Sequence, residues 1–193
     1  MLADRSGAGE DLVWMEMTMN NEELRKFYEP DKVKILFVGE SPPAGKTFFY
    51  TGNSNLFRAT LAGFQLAFPE IARDDFFRSF EEMGCYLVDL CDQPVNKLTN
   101  PEKKKISQAG IPILGQVIRD LKPEVILVVS KSILPYVEQA QALSTSTAPL
   151  HALPFPAMGH QREYTQRLMR LLLNYEALLS PAGTPVGQNP PLE

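Results

Sequence analysis

The stretch KVKILFVGESPPAGKTFFYTG, residues 32–52, joins an apolar run to a glycine, a carboxylate and a loop rich in proline and aromatic residues. From Val33 to Val38, apolar side chains occupy odd and even positions, which predicts a strand buried on both faces of a parallel sheet. Gly39, at the carboxyl end of this run, permits a sharp turn or a close approach. Glu40 then follows at the edge where open α/β sheets bind ligands. We therefore expect Glu40 to be a catalytic residue.

The same stretch contains Gly45-Lys46-Thr47, which could suggest a phosphate-binding loop. However, the spacing between Gly39 and Gly45 is one residue longer than a Walker loop allows. Pro42 and Pro43 also remove backbone N–H donors that such a loop would aim at phosphate. The spacing and the prolines together argue against a nucleotide triphosphatase.

The composition is that of a globular protein with one domain, since 44% of the 193 residues are hydrophobic. No apolar run approaches the ~18 residues that a membrane helix needs, and the beginning of the chain lacks a secretory signal pattern, so we expect a cytoplasmic protein. The net charge of −4 argues against an extended basic surface for nucleic acid but leaves room for a local one. Basic residues cluster in two places that we interpret as solvated helix faces: Lys97, Lys103, Lys104, Lys105, Arg162, Arg167 and Arg170.

Cys85 and Cys91 are the only cysteines in the chain. Their spacing fits neither a C-x-x-C metal pair nor a disulfide framework, so we interpret them as buried thiols. We predict no metal site and no cofactor.

The order of strands and helices predicts an α/β fold. Three further apolar runs, 85–88, 125–129 and 148–153, are expected to be strands, with helical patterns between them. Such an alternation requires right-handed crossovers, which predicts a three-layer α/β/α sandwich with a four-stranded, mainly parallel sheet. The basic helix that begins at Asn100 is expected to break near Gly110 and to restart at Pro112.

We divide the chain into an N-terminal segment with a short helix, residues 1–29, a domain, residues 30–180, and a disordered tail, residues 181–193. The second strand ends at Asp89, and the fourth leads into the segment 154–160. Because the carboxyl ends of parallel strands meet at one edge, Glu40, Asp89 and this segment are expected to lie together.

Several short motifs resemble the uracil-DNA glycosylase superfamily. The turn Gly39-Glu40-Ser41-Pro42 is similar to its first motif, especially the Gly-Glu-x-Pro form of the thermostable family 4 enzymes, and Tyr50-Thr51-Gly52 lies where those enzymes have Phe-Val-Gly. Asn55-Leu56-Phe57 resembles the Asn-Arg-Phe of the mismatch-specific uracil glycosylase branch. Downstream, Leu153-Pro154-Phe155-Pro156-Ala157 resembles the Leu-Pro-Asn-Pro-Ser form of the second motif. The similarity covers about residues 33–173.

The resemblance implies a base pocket at the carboxyl ends of the strands, in an enzyme that flips a damaged base out of DNA and cleaves its N-glycosidic bond without metal chemistry. Glu40 would position or activate water and stabilise the positive charge on the sugar, and Tyr50 would stack on the flipped base. Pro43 lies where the family tests the C5 substituent of a pyrimidine, and Met158 with Gly159 lies where a wedge enters the duplex. The resemblance also implies that Gly39 and Ser41 contact the base. It implies that Asn55, Pro156 and His160 contact the DNA.

Two departures from the family pattern concern the base. Asp89 stands where the family usually has an Asn, and an ionised carboxylate only accepts hydrogen bonds. This favours a base with N–H donors at its edge, or a protonated Asp89 in a dry pocket. Phe155 stands where a His or Asn stabilises O2 of the departing base, and the loss of one comparable donor costs roughly 10²–10³ in rate. His151 and His160 flank this position, each as a surface residue, a helix cap or a substitute for the missing donor.

A third departure concerns the cofactor, because two cysteines cannot hold the four-cysteine iron–sulfur cluster of family 4. We therefore predict no cluster. Our leading interpretation is a monomeric DNA glycosylase with non-standard base specificity that acts on damaged or single-stranded DNA. Two alternatives stay open: a catalytically silent nucleic-acid-binding protein of the same fold, and a protein that binds a free nucleoside or nucleobase.

Overall fold

The computed structural model of the protein describes residues 19–179. The predicted tail, residues 181–193, and residues 1–18 lie outside the described part of the chain. The strands are β1 (Ile35–Gly39), β2 (Cys85–Asp89), β3 (Val125–Val128) and β4 (Leu150–Ala152). The helices are α1 (Asn21–Phe27), α2 (Asn55–Ala67), α3 (Phe76–Glu82), α4 (Asn100–Leu121), α5 (Leu134–Ser144), α6 (Gln161–Asn174) and α7 (Glu176–Leu179). None of these helices is long and apolar enough to cross a membrane.

The four strands form one parallel sheet in the order β2-β1-β3-β4. Val38 of β1 pairs with Val88 on one side and with Val128 on the other, and Gly39 pairs with Asp89. The carboxyl ends of β1, β2 and β3 therefore lie level at one edge, and the predicted α/β fold with a parallel sheet is confirmed.

Two helix pairs cover the sheet, α2 with α6 and α4 with α5. The side chains of β1 and β3 are buried along their whole length, as their continuous apolar sequence predicts. On the α2 side, the ring of Phe37 lies 6.5 Å from that of Phe64 and 5.3 Å from that of Phe80. These buried aromatic rings belong to the hydrophobic core beneath the site.

The predicted break in the basic helix is wrong, because α4 runs without interruption from Asn100 to Leu121 with Pro112 inside it. An added Cβ on Gly110 would collide with the carbonyl oxygen of Leu90, so this glycine permits close packing against the loop after β2. Pro112 lies on the exposed side of the helix. Burial of the apolar side chains on the opposite face offsets the hydrogen bond that the proline removes.

The short helix predicted in the N-terminal segment is α1. Asn20 caps it, with its side chain accepting from the backbone of Glu23 while the Glu23 carboxylate accepts from the backbone of Asn20. Leu24 is buried in the core of the domain, and Arg25 contacts the end of β2. The helix thus packs on the domain rather than standing apart from it.

Candidate active site

A cavity of about 200 Å³ opens at the carboxyl edge of the sheet, between the loop after β1 and the end of β2. The predicted site residues that line it are Ser41, Pro43, Asn55, Asp89 and Phe155. Phe48, Phe49 and Leu87 add apolar surface to its wall. The cavity is smaller than the roughly 300–1,000 Å³ of pockets for drug-sized ligands, so it suits a single ring system.

Asp89 is the charged residue of this cavity. Its Oδ2 accepts a hydrogen bond from Arg25 Nη2 at 2.7 Å, and the Asp89 side chain is only 8% exposed. Burial raises the pKa of Asp89 to about 6, while the Arg25 guanidinium lowers this pKa only in part. An added Cβ on Gly39 would collide with Asp89 Oδ1, so a side chain at this position would displace the carboxylate.

Arg25 is a site residue that the sequence did not indicate. It lies on α1, its guanidinium carbon lies 5.6 Å from the centre of the Phe48 ring, and its Nε is buried without a hydrogen-bond partner among residues 19–179. Arg25 and Asp89 also line a second opening, a groove of about 400 Å³ on the other side of the ion pair. Asp89 therefore lines both openings, whereas Arg25 lines only the groove.

Glu40 follows β1 directly and precedes Ser41 of the cavity wall. Its backbone oxygen accepts from Cys91 N at 3.0 Å, which ties the loop after β1 to the loop after β2. Its carboxylate forms an ion pair with Lys103 Nζ at 2.8 Å and does not line the cavity. Lys103 is thus a second residue at this edge whose contact was not predicted, since the sequence analysis interprets it as part of a solvated helix face.

The loop between β1 and α2 is held by Asn53. The Asn53 side chain accepts from Phe48 N at 2.9 Å and donates to the carbonyl oxygen of Lys46 at 3.2 Å. Ser41 accepts from Val95 N through its Oγ at 3.4 Å. Asn side chains often form hydrogen bonds to nearby backbone groups in turns. This preference could have indicated Asn53 from the sequence.

Tyr50, predicted to stack on a base, does not line the cavity. Its ring is 2% exposed and stacks on Tyr28 with the centres 5.7 Å apart. Its hydroxyl accepts from Leu87 N at 2.8 Å and donates to Leu87 O at 3.3 Å, on the outer side of β2. Burial raises the pKa of Tyr50 well above its ordinary value. Phe48 and Phe49 bring aromatic surface to the cavity instead.

A family model described as the Uracil DNA glycosylase superfamily matches residues 25–183. The chain belongs to this superfamily. The match begins at Arg25, upstream of the predicted boundary of the domain at residue 30. A comparison with curated proteins finds no match. Membership of the uracil DNA glycosylase superfamily supports a DNA glycosylase-like function, because proteins of this superfamily act on DNA.

In this member of the uracil DNA glycosylase superfamily, the segment 154–160 forms an exposed loop after β4. Met158 is 97% exposed at its tip, with φ at 52°, and Gly159 follows with φ at 92°. Phe155 is 49% exposed and reaches the cavity, whereas Pro156 is buried. His160 is exposed, with Nδ1 3.5 Å from a carboxylate oxygen of Glu163. The loop thus presents a large apolar side chain to solvent beside the cavity.

Other candidate groups of this glycosylase superfamily member lie away from the cavity. His151 Nε2 forms a 2.8 Å hydrogen bond with the Tyr175 hydroxyl. Cys85 and Cys91 are free and buried. Between residues 19 and 179, no cluster of three or more His, Cys, Asp or Glu side chains is arranged to hold a metal ion.

Proposed function

We propose that the protein is a DNA N-glycosylase that hydrolyses the bond between deoxyribose and a damaged base whose edge presents N–H donors. The observation that carries this proposal is the buried Asp89 carboxylate in a cavity of about 200 Å³ at the carboxyl edge of a sheet of this superfamily. The size of the cavity admits a base but not a nucleoside with its flanking phosphates, so the base enters by leaving the stack.

The apolar wall supports stacking of the base. Phe48 is the aromatic residue that we assign to this role in place of Tyr50, since Tyr50 is covered by Tyr28. The Arg25 guanidinium carbon lies 5.6 Å from the centre of the Phe48 ring, a cation–π contact that favours this position of the ring. A planar base between Phe48 and Phe155 would be held by apolar contact, which alone does not discriminate one base from another.

Asp89 supplies the discrimination. Because Oδ2 accepts a hydrogen bond from Arg25, we assign Oδ1 as the acceptor for the base. Above a pH of about 6 the carboxylate is mainly ionised, accepts N–H groups and repels a carbonyl oxygen such as O4 of uracil. We therefore expect a preference for bases with an amino group next to a ring N–H.

Glu40 is the residue that we assign to the chemistry. A carboxylate beside the sugar can orient water and stabilise the positive charge that develops when the glycosidic bond breaks. Met158 and Gly159 form the tip of the loop that we assign to the DNA stack, where Met158 would fill the space left by the flipped base.

The test is a panel of oligonucleotides that each contain one lesion: uracil, hypoxanthine, xanthine or 8-oxoguanine. We expect release of 8-oxoguanine, whose edge presents N1–H beside an amino group, to exceed release of uracil. Glu40→Gln, purified in the same way, is the control for contaminating glycosylases. If no lesion is released faster by the wild type than by Glu40→Gln, the proposed activity is wrong.

A further inference from the structure

Lys103 forms an ion pair with the carboxylate that we assign to catalysis, at a distance of 2.8 Å between Nζ and Glu40 Oε1. We propose that Lys103 binds a backbone phosphate of the DNA and that this exchange frees Glu40 for the reaction. The inference rests on the proposed function, which places DNA at this edge. The ligand class is a phosphodiester, and the site is the ammonium group of Lys103 on the first turn of α4.

The ion pair is open to exchange. The Lys103 side chain is 35% exposed and that of Glu40 is 25% exposed, so water and ions reach both groups. Ion pairs at exposed positions contribute little to stability, because solvent screens them and two long side chains lose freedom. A DNA phosphate can therefore compete with Glu40 for the ammonium group without a large cost to the fold.

Release of Glu40 is needed for the proposed chemistry. Glu40 would stabilise a developing positive charge on the sugar, but an ammonium group in contact with the carboxylate already neutralises it. The carboxylate also does not line the cavity while it is paired. If Lys103 moves to a phosphate, the carboxylate regains its full charge and is able to turn toward the reacting sugar.

The surroundings of Lys103 favour a phosphate. Lys104 and Lys105 follow it on α4, both are exposed, and neither forms an ion pair within residues 19–179. Each Lys that contacts a phosphate releases counterions, so such contacts make binding weaker as salt rises. Of these three lysines, Lys103 is the one paired with Glu40. Binding of a phosphate by Lys103 would therefore change whether the Glu40 carboxylate is paired.

The test is a double-mutant cycle on DNA affinity with Glu40→Gln and Lys103→Gln. The ligand is a single-stranded oligonucleotide that contains one tetrahydrofuran abasic-site analogue, so no base has to be recognised or released. We expect Glu40→Gln to tighten binding about tenfold in the wild-type background, since Lys103 no longer has a competing partner. In the Lys103→Gln background the same change should tighten binding by less than about threefold.

Lys104→Gln is the matched control, because it removes the same charge from the neighbouring position without breaking an ion pair. In that background Glu40→Gln should still tighten binding about tenfold. Lys103→Gln itself should weaken binding and reduce the slope of log affinity against log salt by about one. If Glu40→Gln has equal effects in the wild-type and Lys103→Gln backgrounds, the exchange does not occur.

Single-turnover kinetics distinguish exchange of Lys103 between Glu40 and a phosphate from a role in which Lys103 only positions Glu40. Lys103→Gln should raise the DNA concentration for half-maximal single-turnover base release about tenfold, because it loses a phosphate contact. The maximal rate should fall much less than this, because the pair is already broken in the complex. A fall of about 100-fold at saturation, restored by Lys103→Arg, would show that Lys103 only holds Glu40 in place and would overturn the inference. If the wild type releases no lesion while the binding cycle is coupled, the proposed activity fails and the phosphate site stands.

Discussion

Asp89 and Arg25 join the end of β2 to α1 through a 2.7 Å ion pair in which the side chains are 8% and 13% exposed. Loss of either partner would leave the other charge buried and incompletely hydrated, which is strongly destabilising. Asp89 of this pair lines the cavity, and Arg25 lies 5.6 Å from the centre of the Phe48 ring, which lines the cavity too. A short N-terminal helix is therefore part of the site, and its removal is expected to affect both stability and base recognition.

Replacement of Arg25 by Ala should lower the free energy of unfolding by about 3 kcal/mol at pH 8, because it leaves a buried carboxylate without its partner. Urea denaturation measures this change. Arg78→Ala is the control, since the Arg78–Glu82 pair lies on the exposed side of α3 and should contribute far less. Equal losses in the two variants would contradict a special role for the buried pair.

The pKa of Asp89 predicts how stability depends on pH. Burial raises this pKa from 3.8 to about 6, so between these values the folded state binds more protons than the unfolded state. The contribution of Asp89 to stability therefore falls as pH rises through this window, by about 3 kcal/mol for two pKa units. Asp89→Asn lacks this titration. Stability of the wild type relative to Asp89→Asn should fall between about pH 4 and about pH 6 in urea denaturation, and parallel curves would refute the shift.

Gly39→Ala should destabilise the protein by about 1–3 kcal/mol, because the added methyl group collides with the buried Asp89 carboxylate. The same variant should lose base release, since Asp89 has to move within the cavity. Gly45→Ala is the matched control, because nothing lies within 4 Å of a Cβ added there. Urea denaturation and the lesion assay measure both effects, and similar behaviour of the two variants would contradict the close approach at Gly39.

Met158→Ala should reduce base release from duplex DNA about tenfold and have a much smaller effect on single-stranded DNA, because a wedge is needed only where bases are stacked. The fold should be unaffected, since the Met158 side chain is 97% exposed. Leu66→Ala removes an exposed apolar side chain from α2 and serves as the control. A loss that is equal on the two kinds of DNA would argue against insertion.

Asp89→Asn with Phe155→His should shift base preference toward uracil. An amide donates to O4 and accepts from N3–H of uracil, which an ionised carboxylate cannot do. A His in place of Phe155 supplies a donor for O2, and a donor of this kind is worth roughly 10²–10³ in rate. Single-turnover release of uracil relative to 8-oxoguanine measures the shift. An unchanged ratio would mean that neither position reads the base.

The sheet could be predicted because β1, β2 and β3 are apolar runs, and the first two end in a glycine and an aspartate. Such runs indicate burial on both faces, and parallel strands bring their carboxyl ends to one edge. The prediction failed within α4, where Pro112 and Gly110 suggested a break. Packing of Gly110 against Leu90 is a contact between distant parts of the chain, and local propensity does not report such contacts.

The candidate site was predictable in part for the same reason. Ser41, Pro43, Asp89 and Phe155 come from strand ends and line one cavity. Sequence reasoning missed Arg25 and Lys103 because each lies in an ordinary amphipathic or basic helix. Their acidic partners are also distant in sequence, since Asp89 lies 64 residues from Arg25. A helical pattern shows which side of a helix faces the protein but not which charge it meets there.

The hydroxyl of Tyr50 binds both backbone groups of Leu87 on the outer side of β2, the first strand in the sheet order. Unpaired groups at a sheet margin invite another chain to add a strand, which is a common route to aggregation. Because the Tyr50 hydroxyl already binds these groups, a strand from another chain cannot form its backbone hydrogen bonds to Leu87. Tyr50 thus leaves neither backbone group of Leu87 open for strand addition at this margin.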